Sequence, residues 1–172
     1  MNNVGDGPLA PLSSVGRHLS WVFDGPAPFH SRVSRFLADG RARGQRLIFV
    51  ADNPRPGQWP TELLESGALK IASTTEVYGG DAVVDATAQR SIFAAELADA
   101  LELGYTGIRV AADNTSLAVP GERLDAWLQW EQIADEFMSA NPVVGLCAFD
   151  QQRIDPHALA SVQQLHQHTL VN

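Results

Sequence analysis

The chain has 172 residues, enough for one domain with a sizeable hydrophobic core. Hydrophobic residues make up 45% and charged residues 19% of the sequence, which is typical of soluble globular proteins and excludes a disordered chain. The net charge of -8, without a basic stripe, argues against direct nucleic-acid binding and against adsorption to anionic membranes.

The predicted elements alternate between strands and helices after a polar tail at 1–15, and residues 16–172 are predicted to form a single domain. Strands are predicted at 19–23, 46–51, 68–73, 107–112, 143–149 and 168–172. Helices are predicted from the DGPAP turn to Gly44, around 59–66, and over 87–104, 122–140 and 154–166. Residues 74–86 are predicted to form a long polar loop. Thr61, or the residue before it, and Asp155 are the predicted helix caps.

Most of the predicted strands are apolar along their whole length, which indicates a parallel sheet covered on both faces. The sequence therefore predicts a three-layer α/β domain with a doubly wound, mostly parallel sheet. In such sheets ligands bind at the carboxyl ends of the strands, near a switch in strand order.

Four of these strands run directly into an aspartate, and we expect the four carboxylates to gather at one edge of the sheet. They can serve as simple turn caps, or they can form an acidic site for a metal ion, a cationic ligand or a polar network. The four residues are Asp24, Asp52, Asp113 and Asp150.

Cys147 is the single cysteine and lies inside the fifth predicted strand, where a free thiol usually behaves as a small hydrophobic side chain. One cysteine cannot form an internal disulfide, which fits a cytoplasmic protein. His18 opens the first strand, and His166 is predicted to end a helix. Because a metal site needs three or four converging ligands, one cysteine and scattered histidines are weak support for one.

The helix over 122–140 carries two tryptophans on one face, Trp127 and Trp130, which we interpret as core or interface residues. Glu131 follows them, and a glutamate in an amphipathic helix is usually exposed to solvent. The sequence contains no GxxxxGK[ST] phosphate loop, no GxGxxG, no HExxH and no nucleophile elbow.

Several stretches together resemble the MEDS family of sensory domains, among them RHLSWVFDGPAPF, FLADGRARGQRLIFVADNP, LQWEQIADEF and VGLCAFDQQRIDPHALASVQQLHQHTLV. The resemblance covers nearly the whole chain from about residue 16. It implies a RecA-like fold, related to P-loop NTPases, in which the phosphate loop has degenerated to DGPAP. The family's polar positions match His18, Cys147, Asp150 and Glu131, whereas Phe149 replaces its usual tyrosine.

This resemblance implies a sensor that controls a signalling or transcription partner, and the single free cysteine and the missing phosphoryl-transfer residues favour a cytoplasmic protein that is not an enzyme. The partner can be a sigma-factor regulator or a fused kinase, STAS or DNA-binding domain, and a homodimer is left open. The predicted small-molecule site at the strand-end edge is His18, Asp24, Asp113, Glu131, Cys147 and Asp150, with His18 and Cys147 expected in contact. No ATP is expected, and the cofactor is left unknown. The alternatives are a redox, haem or metal sensor through Cys147 and His18, and a degenerate nucleotide-binding enzyme.

Overall fold

A computed structural model describes residues 17–80, 83–165 and 168–170 of the chain. The predicted tail and His166 lie outside this part. Six strands are described: β1 (Arg17–Phe23), β2 (Arg46–Ala51), β3 (Leu69–Ser73), β4 (Ile108–Asp113), β5 (Val143–Asp150) and β6 (His168–Leu170). The α-helices are α1 (Pro26–Ala42), α2 (Thr61–Glu65), α3 (Thr74–Tyr78), α4 (Ala86–Glu102), α5 (Glu122–Ala140) and α6 (Pro156–Leu165).

The six strands form one sheet in the order β3-β2-β4-β5-β1-β6, and every neighbouring pair is parallel. All eight residues of the central strand β5 are buried. In a strand that is covered on both faces, apolar side chains that point to either face are buried and stabilise the fold, which explains the uninterrupted apolar runs in the sequence.

Helices cover both faces of the sheet. Helices α1 and α2 pack on one face, around a core that includes Phe36, Leu37 and Leu63. Helices α3 to α6 cover the opposite face, around a core that includes Trp127 and Phe149. The connections from β1 to β2 and from β2 to β3 cross the first face, and those from β3 to β4, β4 to β5 and β5 to β6 run in the opposite direction and cross the second face. This is the arrangement that right-handed crossovers require. The predicted three-layer α/β fold with a parallel sheet is confirmed.

One predicted loop is wrong, because residues Thr74–Tyr78 form the short helix α3. A reciprocal capping box starts this helix: the Ser73 hydroxyl accepts from the Glu76 amide, and the Glu76 carboxylate accepts from the Ser73 amide. A serine followed three residues later by a glutamate is the sequence signature of this cap.

The two predicted helix caps differ in their hydrogen bonding. The Asp155 carboxylate accepts hydrogen bonds from the amides of His157 and Ala158, at 2.8 and 3.1 Å, so the predicted cap of α6 is confirmed. Helix α2 begins after Pro60, the residue before Thr61, so the second of the two predicted N-cap positions is confirmed, although Pro60 forms no side-chain cap hydrogen bond. Within the described residues, no helix combines the length and apolar character that crossing a membrane would take.

Candidate functional site

The buried face of α5 carries a carboxylate among apolar side chains. Trp127, Ala134 and Met138 lie on this face at helical spacing, and Glu131 occupies the position between them. Glu131 is only 1% exposed, so the expectation of a solvated carboxylate is wrong. The spacing from residue 127 to residue 138 was the sequence signal, because it places residue 131 on the stripe that faces the sheet.

Strands β1 and β5 bring two more polar side chains to the same face. His18 pairs in register with Gly145, and Cys147 lies two residues further along β5, so its side chain points the same way. Nε2 of His18 lies 3.2 Å from Sγ of Cys147. The predicted contact between these two residues is therefore confirmed, across 129 positions of sequence.

Glu131 completes a three-residue cluster, which we call the interior group: His18, Glu131 and Cys147. The Cys147 thiol lies 3.5 Å from Oε1 of Glu131, and Nε2 of His18 lies 3.6 Å from Oε2. All three residues are buried. On the other side of the imidazole ring, Nδ1 of His18 lies 3.7 Å from a carboxylate oxygen of Asp135, which sequence reasoning missed. Asp135 follows Glu131 by four residues, so both can reach one ring from a single helix.

Burial raises the pKa of the Cys147 thiol well above its usual range, and the nearby Glu131 carboxylate raises it further, against a smaller opposing effect of the Asn114 amide. The thiol is therefore protonated at neutral pH. A reactive thiolate needs a lowered pKa and access to solvent. Cys147 meets neither condition, which argues against a simple thiol switch.

A cavity of about 10 Å³ adjoins the interior group, close to the space that one water molecule needs. All three residues of the group line it, together with aromatic side chains that include Tyr78 and Trp130. Gly145 and Met138 also line the cavity, and a Cβ on Gly145 would lie only 2.6 Å from Sδ of Met138. The buried hydroxyl of Ser20, on the same face as Cys147, makes no hydrogen bond within the described part of the chain.

The strand-end aspartates meet around a cation. Arg153 lies 2.5 Å from an oxygen of Asp113, 2.9 Å from Asp150 and 4.0 Å from Asp52. The predicted gathering at the carboxyl edge is confirmed for these three carboxylates, and we call them, with Arg153, the strand-end group. Sequence reasoning missed Arg153, although a cation three residues after Asp150 was an available signal.

The six residues predicted to bind a ligand do not form one site. Along β5, Cys147 and Asp150 are three residues apart, which corresponds to about 10 Å. His18 lies near the amino end of β1, whereas Asp24 follows its carboxyl end and accepts a hydrogen bond from Gln152 at 2.5 Å. The expectation of a single site at the strand-end edge is thus corrected, because His18 belongs to the interior group and lies six residues before Asp24 along the chain.

A comparison with protein families supports the resemblance that the sequence suggested. The model of the MEDS family, the methanogen/methylotroph, DcmR sensory domain, matches residues 17–167. The chain belongs to the MEDS family. No curated protein matches it significantly. The matched range contains both the interior group and the strand-end group.

In this MEDS domain, the strand-end group contains its own cation. Burial opposes ionisation of Asp150, but hydrogen bonds from Arg153 and from the Gln152 amide outweigh it, so the pKa of Asp150 lies below its usual value. Burial likewise disfavours the Arg153 cation, and the carboxylates of Asp150 and Asp113 outweigh that and raise the pKa of Arg153. The arginine therefore occupies the place that a cationic ligand would take.

The turn between β1 and α1 is poorly suited to phosphate. Gly25 has a φ of 81° and precedes α1, which begins with Pro26. Pro26 and Pro28 lack the amide hydrogens with which a helix N-terminus binds anions. The Gly25 amide also helps to lower the pKa of Asp150, so an ionised carboxylate lies close to this turn and disfavours an anion there.

Proposed function

We propose that this MEDS domain is a regulatory sensor that receives its signal at the interior group. One observation carries this proposal: an imidazole, a carboxylate and a thiol converge beside a cavity in an otherwise apolar layer. Polar groups are rarely buried without a compensating role, because their transfer from water costs free energy. Such a convergence is typical of a binding site.

Helix α5 is the element that can pass the signal on. It supplies Glu131 to the interior group, and it packs against β1, α4 and α6. A ligand shifts a conformational equilibrium only if it binds two states with different affinities. We infer that the ligand favours one position of α5 over another, since the other two residues of the group lie on the rigid sheet.

The output we propose is control of a signalling or transcription protein in the cytoplasm, such as a sigma-factor regulator or a fused kinase, STAS or DNA-binding domain. The sensory character of the family supports this role. Direct DNA binding is not part of the proposal, because the chain carries a net charge of -8.

The experiment that tests the proposed site is native mass spectrometry of the protein purified from its own host. We expect a bound small species in the wild type that is lost in His18→Ala. The control is His157→Ala, because His157 is exposed and lies on α6. Equal adducts in all three proteins, or no adduct on the wild type, would contradict the proposed site.

The alternative of a degenerate nucleotide-binding enzyme makes a separate prediction. Phosphoryl transfer needs a backbone nest, a lysine and a metal-bound hydroxyl. The β1–α1 turn instead has two prolines and carries Asp24 and Asp150 beside it. We expect isothermal titration calorimetry with magnesium and ATP to show no binding; magnesium-dependent binding in the micromolar range would favour the enzyme.

A further inference from the structure

We propose that His18, Glu131 and Cys147 together bind one divalent transition-metal ion of the zinc class. The ion would be held by Nε2, a carboxylate oxygen and Sγ, and its fourth coordination position would face the adjoining cavity. This inference specifies the cofactor of the proposed sensor and rests on that function only for the location of the site.

The spacing of the three ligand groups suits a tetrahedral ion. With Zn–N and Zn–O distances of about 2.0–2.1 Å and a Zn–S distance of about 2.3 Å, tetrahedral geometry separates the ligand atoms by about 3.3–3.6 Å. Within the interior group, Nε2 of His18 lies 3.2 Å from Sγ, Sγ lies 3.5 Å from Oε1 of Glu131 and Nε2 lies 3.6 Å from Oε2 of Glu131. One ligand atom from each of the three residues lies within 4.8 Å of the others, so a small movement brings them to tetrahedral spacing around one ion. Three protein ligands with an open fourth position are typical of zinc sites that exchange a water or another small ligand.

Charge balance supports a divalent ion. When the ion binds, the Cys147 thiol loses its proton to solvent and the sulfur coordinates as a thiolate. A thiolate and the Glu131 carboxylate carry two negative charges, which a divalent cation neutralises. A neutral assembly is the form that buried, apolar surroundings favour.

The surroundings of the imidazole also fit a metal ligand. A histidine that binds a metal through one nitrogen usually points its other nitrogen at a carboxylate or carbonyl, which orients the ring. Nε2 of His18 faces the thiol and carboxylate, and Nδ1 faces Asp135 at 3.7 Å. Asp135 is therefore a positioning residue for His18. Mixed nitrogen, oxygen and sulfur ligands suit zinc and its neighbours better than magnesium or calcium.

A second chemistry has a related geometry. Cys147, His18 and Asp135 follow the order of a thiol nucleophile, its base and an orienting carboxylate. Glu131 argues against this role, because a carboxylate 3.5 Å from the sulfur opposes formation of a free thiolate. The same carboxylate can coordinate a metal ion. A nucleophilic Cys147 is therefore treated as one outcome of the experiment below.

The test is a cobalt titration of protein that carries no histidine tag and has been stripped of metal with a chelator. Cobalt(II) replaces zinc and reports sulfur ligation by a charge-transfer band in the near ultraviolet and tetrahedral geometry by intense visible bands. We expect one equivalent of Co²⁺ to bind with both signals, and one equivalent of Zn²⁺ to displace it. Cys147→Ser is expected to lose the charge-transfer band, and Glu131→Gln to weaken binding at least about tenfold.

Matched controls and the conservative variants keep the result interpretable. Glu136→Gln is the control on the same helix, because Glu136 is exposed and outside the group. Asp135→Asn is expected to keep the band but to weaken binding by about tenfold, as expected for a residue that orients a ligand. Circular dichroism checks that each variant folds. If Cys147→Ser does not fold, the test rests on comparing Co²⁺ binding by Glu131→Gln with Co²⁺ binding by Glu136→Gln.

Three results would overturn the metal site. They are the absence of stoichiometric Co²⁺ binding by the wild type, equal binding by Glu131→Gln and wild type, and rapid alkylation of Cys147 by iodoacetamide in the metal-free protein, which would instead favour a nucleophile. None of these results decides the sensor proposal, because a metal-free adduct lost in His18→Ala would still support it.

Discussion

The interior group and the strand-end group place carboxylates in two different electrostatic settings of one sheet. Around Arg153, three aspartates share a guanidinium that the chain itself provides. Around Glu131, a carboxylate meets a thiol and an imidazole in the interior of the protein. The first arrangement includes a cation from the chain itself, whereas the second places three ligand atoms beside a cavity.

The two groups therefore affect the stability of the fold differently. A paired network at a strand end stabilises the fold, within the modest limits of partly exposed ion pairs. Burying a carboxyl group costs stability, and sites that bind ligands commonly carry such a cost. We therefore expect substitutions in the two groups to change the free energy of unfolding in opposite directions.

The largest expected effect comes from closing the cavity with Gly145→Val. The new Cβ would lie 2.6 Å from Sδ and 2.7 Å from Cε of Met138. Overpacking of this kind costs about 2 kcal/mol in unfolding free energy, although valine by itself favours strands. Urea denaturation measures the loss, and Co²⁺ binding should disappear with it.

Gly57→Ala is the control for this substitution, since nothing lies within 4 Å of an added Cβ there. Adding Met138→Ala to Gly145→Val should restore part of the stability, because the two residues compete for one space. Unchanged stability in Gly145→Val would mean that Met138 moves aside at no cost, and that the cavity is not a fixed feature of the fold.

The second prediction concerns the sign of the effect at Glu131. In metal-free buffer, Glu131→Gln should raise the free energy of unfolding by about 1 kcal/mol, because an amide of the same shape removes the need to bury a carboxyl group. Denaturant titration in a chelating buffer measures it, with Glu136→Gln expected within about 0.5 kcal/mol of the wild type. A loss of stability in Glu131→Gln would show that the carboxylate is fully compensated by His18, and the contrast between the groups would fail.

Much of the fold could be predicted from the sequence, because strand patterns in a buried parallel sheet are strong signals. The apolar run VVGLCAF predicts a strand that is buried on both faces of the sheet. The spacing of apolar residues around Trp127 predicts a helix that is buried on one face. The short helix α3 was harder, since its five residues lie within a polar stretch and only the cap between Ser73 and Glu76 marks it.

The candidate sites were only half visible in the sequence, because side-chain direction depends on three-dimensional register. The contact between His18 and Cys147 could be predicted once β1 and β5 were taken as neighbours. The helical spacing of Glu131 with Trp127 and Met138 indicates its inward direction, which residue type alone predicted wrongly. The proximity of Asp135 to His18 depends on the rotation of α5 against the sheet. The buried Arg109, paired with Asp39 at 2.8 Å, likewise had no signal in its apolar strand.

The third prediction removes the cation of the strand-end group. Arg153→Gln leaves three aspartates facing one another, so we expect a loss of about 0.5–1 kcal/mol, small because nearly half of the arginine side chain is exposed and solvent screens its pairs. Denaturant titration at low and high salt measures the effect, which should shrink as salt rises. Arg55→Gln, in an exposed loop, is the control, and a gain of stability in Arg153→Gln would reverse the assignment of the two groups.

The smallest effect is the pH dependence that Asp150 confers on the same group. Its pKa is lower in the folded protein than the ordinary value of 3.8, so the folded state favours the ionised carboxylate more than the unfolded state does. The resulting stability is fully present above about pH 4 and is lost as the pH falls through the folded-state pKa. Asp150→Asn should therefore be less stable than the wild type at pH 7, and the difference should narrow below pH 4, as followed by thermal denaturation from pH 7 to pH 2.5. Asp155→Asn is the control for the general effect of acid on the fold, because Asp155 is exposed at the start of α6 and asparagine keeps a capping oxygen there. A difference that stays constant across this range would mean that Arg153 and the Gln152 amide hold the protonated and ionised carboxyl equally well, which the charge of the arginine makes physically unexpected.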